Sequence, residues 1–359
     1  MRGWRLRILL TSYTFHPSIG GLETASMLLA SGLAERGYDV TVVTQEPGPT
    51  EGYRFSIVRQ PTFLQMLRLV RDADLVWQNQ VSLRRLWAVL LVRRPLIIMH
   101  HIWLTKDLDA GPRFETPKRL ACRLGCNVFV SAAMRDDVRL HGVIIPNTYD
   151  EQLFRVIPGI ERDRDVAFLG RIVRPKGADI VVDAVAQLSH KGRRLRATII
   201  GVGPEDGALK ARAAKAGIPD LIDFPGPKRG EELVQLLNRH RILVVPSRWE
   251  EPFGIVALEG LACGCVTIVA NSGALPEVIG PCGPTVPKND AAALAAELDR
   301  LTSRPDILAD YRRQAPLHLT HYTKTAMLDA CEAVIREAAA TFGSCPAERR
   351  TITKAAAHH

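Results

Sequence analysis

Short apolar runs rich in β-branched residues recur along this chain, each followed by a loop and a stretch with helical patterning. In the first half they are Arg7–Ser12, Val40–Thr44, Phe55–Val58, Leu75–Trp77, Leu96–Met99 and Asn127–Val130. In the second they are Val166–Leu169, Arg196–Ile200, Leu221–Phe224, Arg241–Val245 and Val266–Ala270. Strands that alternate with helices build a parallel sheet covered on both faces, which is why the runs are almost wholly apolar. The fold class is therefore α/β, with doubly wound parallel sheets. At 359 residues the chain exceeds one typical core, so two domains are expected. Pro158-Gly159 and the charged run Glu161–Asp165 read as linker, giving a first domain over 1–160 and a second over 161–315. A helical segment over 316–343 follows, then a polar tail over 344–359 that is expected to be disordered and whose Lys354–His359 reads as an expression remnant. In such sheets ligands bind beyond the carboxyl ends of the strands, so the loops there hold the candidate site.

The loop after Arg241–Val245 is the densest in chemistry. Pro246-Ser247 ends the strand, Pro252 suits a first helical turn, and Phe253 to Ala262 has the apolar density of a buried helix. The amides of Gly254, Ile255 and Val256 would point out of that helix start, where the dipole favours an anion such as a diphosphate. Glu251 stands just before the start and Glu259 about two turns further on, so one carboxylate reaches a sugar and the other a ribose. The spacing alone also suits a solvated helix. Arg171 and Lys176 share the loop that follows Val166–Leu169, where both can converge on one anion, surface charge being the alternative. Gly20-Gly21 precedes the helix Leu22–Arg36 and allows close backbone approach to a bound group, or simply makes a turn. That loop lacks G-x-G-x-x-G, which excludes a nicotinamide dehydrogenase. His100 and His101 fall at the carboxyl end of Leu96–Met99.

The string from Glu251 to Glu259, with Gly260–Gly264, Val266–Ala270 and Asn271–Glu277 after it, resembles the E-x7-E signature of the retaining glycosyltransferases of family 4, which have the GT-B fold. The resemblance runs from about residue 7 to 340 and is strongest over 166–280. It implies two Rossmann-like domains facing a central cleft: an acceptor-binding first domain, a nucleotide-sugar donor domain, and a C-terminal helix crossing back to the first. It also implies transfer of a sugar from a nucleotide-diphosphate sugar to an acceptor hydroxyl with retention, by same-face attack, and without a metal. Arg171 and Lys176 match the family's R-x4-K pair, which neutralises the leaving diphosphate. Glu251 would orient sugar hydroxyls and Glu259 the ribose; Phe253, Gly254, Ile255 and Val256 would line the donor. His101, counted from Pro95, fits the family's active-site histidine better than His100 and would contact the donor sugar. Gly20-Gly21 matches the glycine loop that contacts the donor phosphate or the acceptor, and Gly226-Pro227 the place where the backbone meets the nucleobase, whose identity is not readable. Val266 and Ala274 depart from the family's usual proline and glycine and bear on loop shape near the diphosphate. A sugar-nucleotide epimerase of the same fold and a non-catalytic nucleotide-sugar binder are the alternatives; intact Arg171, Lys176, Glu251 and Glu259 weigh against the binder.

Composition narrows the partners. The net charge of +9 admits nucleic acid, an anionic membrane or an anionic substrate, but aromatics are only 6% and no basic stretch is interleaved with them, so nucleic acid is excluded. Arg84-Arg85, Arg93-Arg94, Lys118, Arg119 and Arg123 belong to helices of the first domain that read either as solvated faces or as a peripheral contact with anionic lipid. The apolar block Ile8–Leu10 is too short for a signal peptide, and no run approaches a membrane span, so a cytoplasmic protein is expected. The seven cysteines have no repeated metal-binding spacing; Cys122 and Cys126 could share a helix face but lack a histidine pair. Asp107-Leu-Asp109 is a D-x-D pair with no strand close before it and reads as a solvated loop. No metal or other cofactor is expected, only the donor as substrate.

Overall fold

The computed structural model describes residues 5–18, 20–104 and 115–342. Asp107-Leu-Asp109 and the tail from 343 lie outside them. The chain divides into two compact units, residues 1–147 with 324–359, and residues 148–323.

The first unit is a seven-stranded sheet, all of its pairs parallel, in the order β3-β2-β1-β4-β5-β6-β7. Its strands are β1 (Arg7–Thr11), β2 (Asp39–Thr44), β3 (Ser56–Arg59), β4 (Leu75–Asn79), β5 (Leu96–His100), β6 (Cys126–Phe129) and β7 (Val143–Ile144). The helices between them are α1 (Gly21–Glu35), α2 (Phe63–Asp72), α3 (Leu83–Val92), α4 (Glu115–Cys122) and α5 (Ala132–Val138). β4 and β5 are buried along their whole length, as covering on both faces requires. α2 starts cleanly because the Thr62 hydroxyl accepts from the Gln65 amide while the Gln65 side chain accepts from the Thr62 amide, a reciprocal capping box.

The second unit is a six-stranded parallel sheet ordered β10-β9-β8-β11-β12-β13. Its strands are β8 (Arg164–Leu169), β9 (Ala197–Ile200), β10 (Ile222–Gly226), β11 (His240–Val245), β12 (Val266–Ala270) and β13 (Thr285–Val286). α6 (Ala178–His190), α7 (Asp206–Lys215), α8 (Gly230–Asn238), α9 (Ile255–Ala262), α10 (Leu275–Ile279), α11 (Ala291–Ser303) and α12 (Pro305–Leu319) complete it. Its core joins Phe168 and Val244 of the sheet to Val181 and Val185 of α6 and Leu294 and Leu298 of α11.

The last helix, α13 (Lys324–Phe342), belongs to the first unit, where it packs on α1. A Cβ on Gly32 of α1 would stand 2.6 Å from Leu328 Cδ1, so the missing side chain is what lets the leucine seat. Lys324 pairs with Glu35 at 2.8 Å, and Arg36 with Asp329 at 2.7 Å and Glu332 at 3.1 Å.

Three expectations change. The stretch 158–165 lies inside the second unit, because Asn238 reaches back to the Ile157 amide and the Arg155 carbonyl, tying the segment to α8. Cys122 and Cys126 share no helix face: α4 ends at the first and β6 begins at the second. Arg85 is no solvated residue but only 8% exposed.

Candidate active site

In the second unit β8 and β11 are neighbours, with Val166 opposite Ile242 and Phe168 opposite Val244, and the strand order reverses between them. Loops that leave neighbouring strands at such a reversal diverge and open a crevice. The loop after β8 carries Arg171 and Lys176; the loop after β11 carries Ser247 and Glu251. They are locked together by main chain, the amides of Arg248 and Trp249 donating to the Pro175 carbonyl at 2.9 and 3.1 Å. Gly177 permits the contact: its φ is +73°, and a Cβ there would lie 2.3 Å from the Pro246 carbonyl oxygen.

Across the joint, Lys176 Nζ donates to Glu251 Oε1 at 2.6 Å and Ser247 Oγ to the same oxygen at 2.7 Å. The Glu251 side chain is 10% exposed and that of Lys176 29%, so the carboxylate is held inside while the ammonium keeps an open side. Glu251 Oε2 has no hydrogen-bond partner among the described residues. Arg171 is exposed, and its guanidinium is likewise unengaged among them. The main chain around Glu251 is pinned by the Ala274 amide, which donates to the Glu251 carbonyl at 2.9 Å. Gly273 (φ +56°) permits this, since a Cβ there would meet that same carbonyl oxygen at 2.3 Å.

α9 begins one turn beyond Glu251. Gly254 is its N-cap at φ +110°, a left-handed conformation that breaks the helix two residues after Pro252, so the proline precedes the helix rather than opening it. The amides of Ile255 and Val256, in the first turn, have no intrahelical acceptor. Phe253 turns away from them: it is 4% exposed, its ring centroid 5.9 Å from that of Tyr322, so the side chain belongs to the packing. Glu259 lies on α9 with no side-chain partner among the described residues. Burial first, and the nearby Asp150 carboxylate second, push its carboxyl up from 4.5 to about 7. Gly226 ends β10 at φ +77° and its carbonyl accepts from the Gly201 amide at 3.1 Å, while Pro227 after it is exposed.

In the first unit the order reverses between β1 and β4. Gly20 is the N-cap of α1, and a Cβ on Gly21 would meet nothing within 4 Å, so the space beside it is open. His101 stands directly after β5, and neither of its ring nitrogens, both buried, has a partner among the described residues. Burial, with His100 next to it, pulls its pKa down to about 3, so the ring is neutral at physiological pH. His100 differs: its Nε2 pairs with Asn127 Oδ1 at 3.0 Å and its ring stacks on Phe129 at 4.7 Å, the environment of a core histidine.

Residues 19–153 match the model for Glycosyltransferase Family 4 and residues 150–318 that for Glycosyl transferases group 1. This chain is a family 4 glycosyltransferase. The MMP alpha-(1->4)-mannosyltransferase of Mycolicibacterium hassiacum is 26% identical to it over 84% of this chain and 90% of that one. The D-inositol 3-phosphate glycosyltransferase of Saccharomonospora viridis is 33% identical over 52% of this chain, a match spanning 46% of that relative's length. Among solved structures, Anabaena Alr3699/HepE in complex with UDP superposes with a TM-score of 0.78 at 19% identity, over 93% of this chain and 100% of that one. A glycosyltransferase from Rickettsia africae gives 0.77 at 16% identity, over 93% and 98%. The fold is thus GT-B, two Rossmann-like parallel-sheet domains.

Three further side chains of this glycosyltransferase, none with a sequence signal of its own, brace the candidate site. Gln80, at φ +73°, accepts from the amides of both His101 and Ile102 at 3.1 Å and so sets the backbone that presents His101. Arg248 grips Asp179 of α6 through both carboxylate oxygens, at 2.6 and 2.8 Å, and bonds the Arg174 carbonyl at 3.0 Å, bracing the loop that carries Lys176. Ser247, taken from sequence only as a strand stop, is a partner of Glu251. Its spacing of four residues from a carboxylate in a loop is too common to be read as a signal.

Proposed function

We propose that this glycosyltransferase moves a sugar from a nucleotide-diphosphate sugar to an acceptor hydroxyl, with retention at the anomeric carbon and without a metal. The observation that carries the reading is the joint of Lys176, Ser247 and Glu251 at the strand-order reversal, beside the free amides of α9 and the unpartnered Glu259. Lys176, Arg171 and the amides of Ile255 and Val256 stabilise the diphosphate as the sugar–phosphate bond breaks, which is the charge work a cation would otherwise do. Glu259 takes the ribose hydroxyls, Glu251 orients sugar hydroxyls through Oε2, and neutral His101 offers a hydrogen bond to the sugar. Gly20-Gly21 lets the α1 start approach the donor phosphate or the acceptor, and Gly226-Pro227 meets the base. The UDP of the Anabaena structure makes a uridine donor the first to test.

The test is thermal unfolding against UDP-, GDP-, ADP- and TDP-sugars, followed by product analysis with the donor that binds. One nucleotide-sugar is expected to raise the midpoint, since a ligand at about a hundred times its Kd adds about 2.7 kcal/mol to the folded state. The anomeric configuration of the product is then expected to equal that of the donor. No stabilisation by any donor, or an isomerised donor with nothing transferred, sinks the reading.

A peripheral contact with the cytoplasmic face of an anionic membrane is part of the same proposal. α3 and α4 lie side by side and expose Leu90, Leu91 and Leu120, and the turn after α4 exposes Leu124, with the exposed Arg93 and Arg123 next to them in sequence. Apolar side chains rimmed by arginine suit an anionic interface. Sedimentation with phosphatidylglycerol vesicles but not phosphatidylcholine vesicles, weakened at least threefold in Leu91→Glu, is the expected result; equal behaviour on both vesicles counts against it.

A further inference from the structure

Arg85, in the first turn of α3, is hidden by the fold, at 8% exposure. No carboxylate, carbonyl or hydroxyl oxygen accepts from its guanidinium among the described residues, and Nη2 is fully buried without a partner. Burial is what depresses its pKa, the hydroxyl of Tyr13 being the neighbour that offsets it. A buried guanidinium without an anion loses its hydration, and the face of the Tyr13 ring 6.0 Å away returns only part of it, a cost that folds avoid unless the charge has a use.

The residue lines a cavity of about 280 Å³ that lies wholly within the first unit. Its walls come from the segments that follow β1, β2, β3 and β4: Tyr13, then Gln45, then Phe63, then Ser82, Arg85 and Trp87. It therefore sits at the carboxyl ends of the strands, at the point where the order reverses between β1 and β4. Three of the lining residues are aromatic. Phe63 and Trp87 stack with centroids 4.0 Å apart and planes 4° from parallel, and the Tyr13 ring lies 6.0 Å from the guanidinium carbon. Yet Phe63 is 60% and Tyr13 68% exposed, aromatic area left in water at the rim of a cavity that contains one buried, unneutralised cation. Gln78 ties this arrangement down, its Oε1 accepting from the Ser82 amide at 3.2 Å at the N-cap of α3.

We propose that this cavity is the acceptor pocket and that the acceptor carries an oxyanion, phosphate or carboxylate, held by Arg85 while its body lies against Phe63 and Tyr13. The proposal rests on the glycosyltransferase reading for the role of the ligand, but not for its binding. A guanidinium presents a planar fork that matches either oxyanion, and the aromatic faces suit the C–H face of a sugar or cyclitol ring.

The experiment uses the full chain with phenyl phosphate, inorganic phosphate, benzoate and uncharged phenyl β-glucoside, binding being followed by ligand-detected NMR with and without saturating UDP. Phenyl phosphate or benzoate is expected to bind, the tighter of the two telling phosphate from carboxylate. Inorganic phosphate should bind more weakly than phenyl phosphate, phenyl β-glucoside at least about tenfold more weakly, and UDP should displace none of them. Arg85→Met should weaken the anionic probes at least about tenfold while leaving the unfolding midpoint equal or higher, because it replaces an unpaired buried charge with an apolar chain. Phe63→Ala should weaken phenyl phosphate but not inorganic phosphate. Displacement by UDP, unchanged phenyl phosphate affinity in either variant, or a lowered midpoint in Arg85→Met overturns the proposal, the last by making Arg85 a strut of the fold. Should UDP fail to bind while the anionic probes behave as expected, the donor reading falls and the pocket stands.

Discussion

Lys176→Met is expected to lower kcat/KM by about 10²- to 10³-fold, the loss typical of removing one positioned donor to a developing anion. It should also destabilise the fold. Glu251 keeps Ser247 as its remaining partner at a side-chain exposure of 10%, and a buried acceptor that loses its charged donor costs about 1–3 kcal/mol. The two effects separate in the double variant Lys176→Met with Glu251→Gln, where the stranded charge is gone and the chemistry is not restored. Urea titration should find the double variant more stable than Lys176→Met alone, a coupling expected of side chains 2.6 Å apart. Initial rates should find it no more active. A kcat/KM within threefold of the parent would remove Lys176 from the leaving-group role.

Glu259→Gln is expected to stabilise the protein and cripple it. The folded carboxyl, raised from 4.5 to about 7, holds a proton across that interval that the unfolded chain has already released. Stability linked to this group is therefore highest below about pH 4.5, declines as pH rises, and by pH 8 is lower by about 3 kcal/mol. Glutamine does not titrate, so the variant's advantage should grow between pH 5 and pH 7 and be largest above it. Ribose hydroxyls held by Glu259, as proposed, would donate to the ionised form, so donor binding should drive the carboxyl to shed its proton. Calorimetry near pH 6.5 in buffers of different ionisation enthalpy should register up to one proton released per nucleotide-sugar bound, and none in Glu259→Gln, whose affinity should drop about 10- to 100-fold. A variant less stable than the parent at pH 8, or one that binds donor as tightly, would mean that Glu259 is a packing residue. Stability withheld at a binding carboxylate is the usual exchange between a site and its fold.

The sheets were legible because their signal is local and redundant. Val266–Ala270 reads as a strand and is β12 to the residue, and the order of strands and helices alone dictates parallel pairing in both units. Ends were less legible where backbone conformation, not side-chain pattern, decides them. Pro252 advertises a helix start, but the left-handed Gly254 sets it later, and glycine says that such a conformation is available without saying that it is used. α12 escaped notice because Pro316 and the charged run around Arg312-Arg313 blur its period. For the candidate site, residue types and loops could be named from sequence, but not which groups meet. Nothing in the string distinguishes Lys176, which engages Glu251, from Arg171, whose guanidinium engages nothing among the described residues, or the stacked His100 from His101, whose ring nitrogens have no partner among them. Arg85 shows the limit most clearly: beside Arg84 it reads as one more surface charge, and its burial is a property of the four segments around it.

α13 gives the chain an order of manufacture. The first 147 residues leave the ribosome well before Lys324, yet the unit they form includes the helix that begins there. Until then the strip of α1 around Gly32 faces water where Leu328 will later sit. The unit between, residues 148–323, has all its own strands by the time Val286 emerges, so the middle of the chain can finish folding while the beginning is still waiting for the end. Stalled or truncated products short of α13 would thus carry a complete second unit and a first unit with an open apolar seam, which marks them as the natural clients of chaperones and proteases.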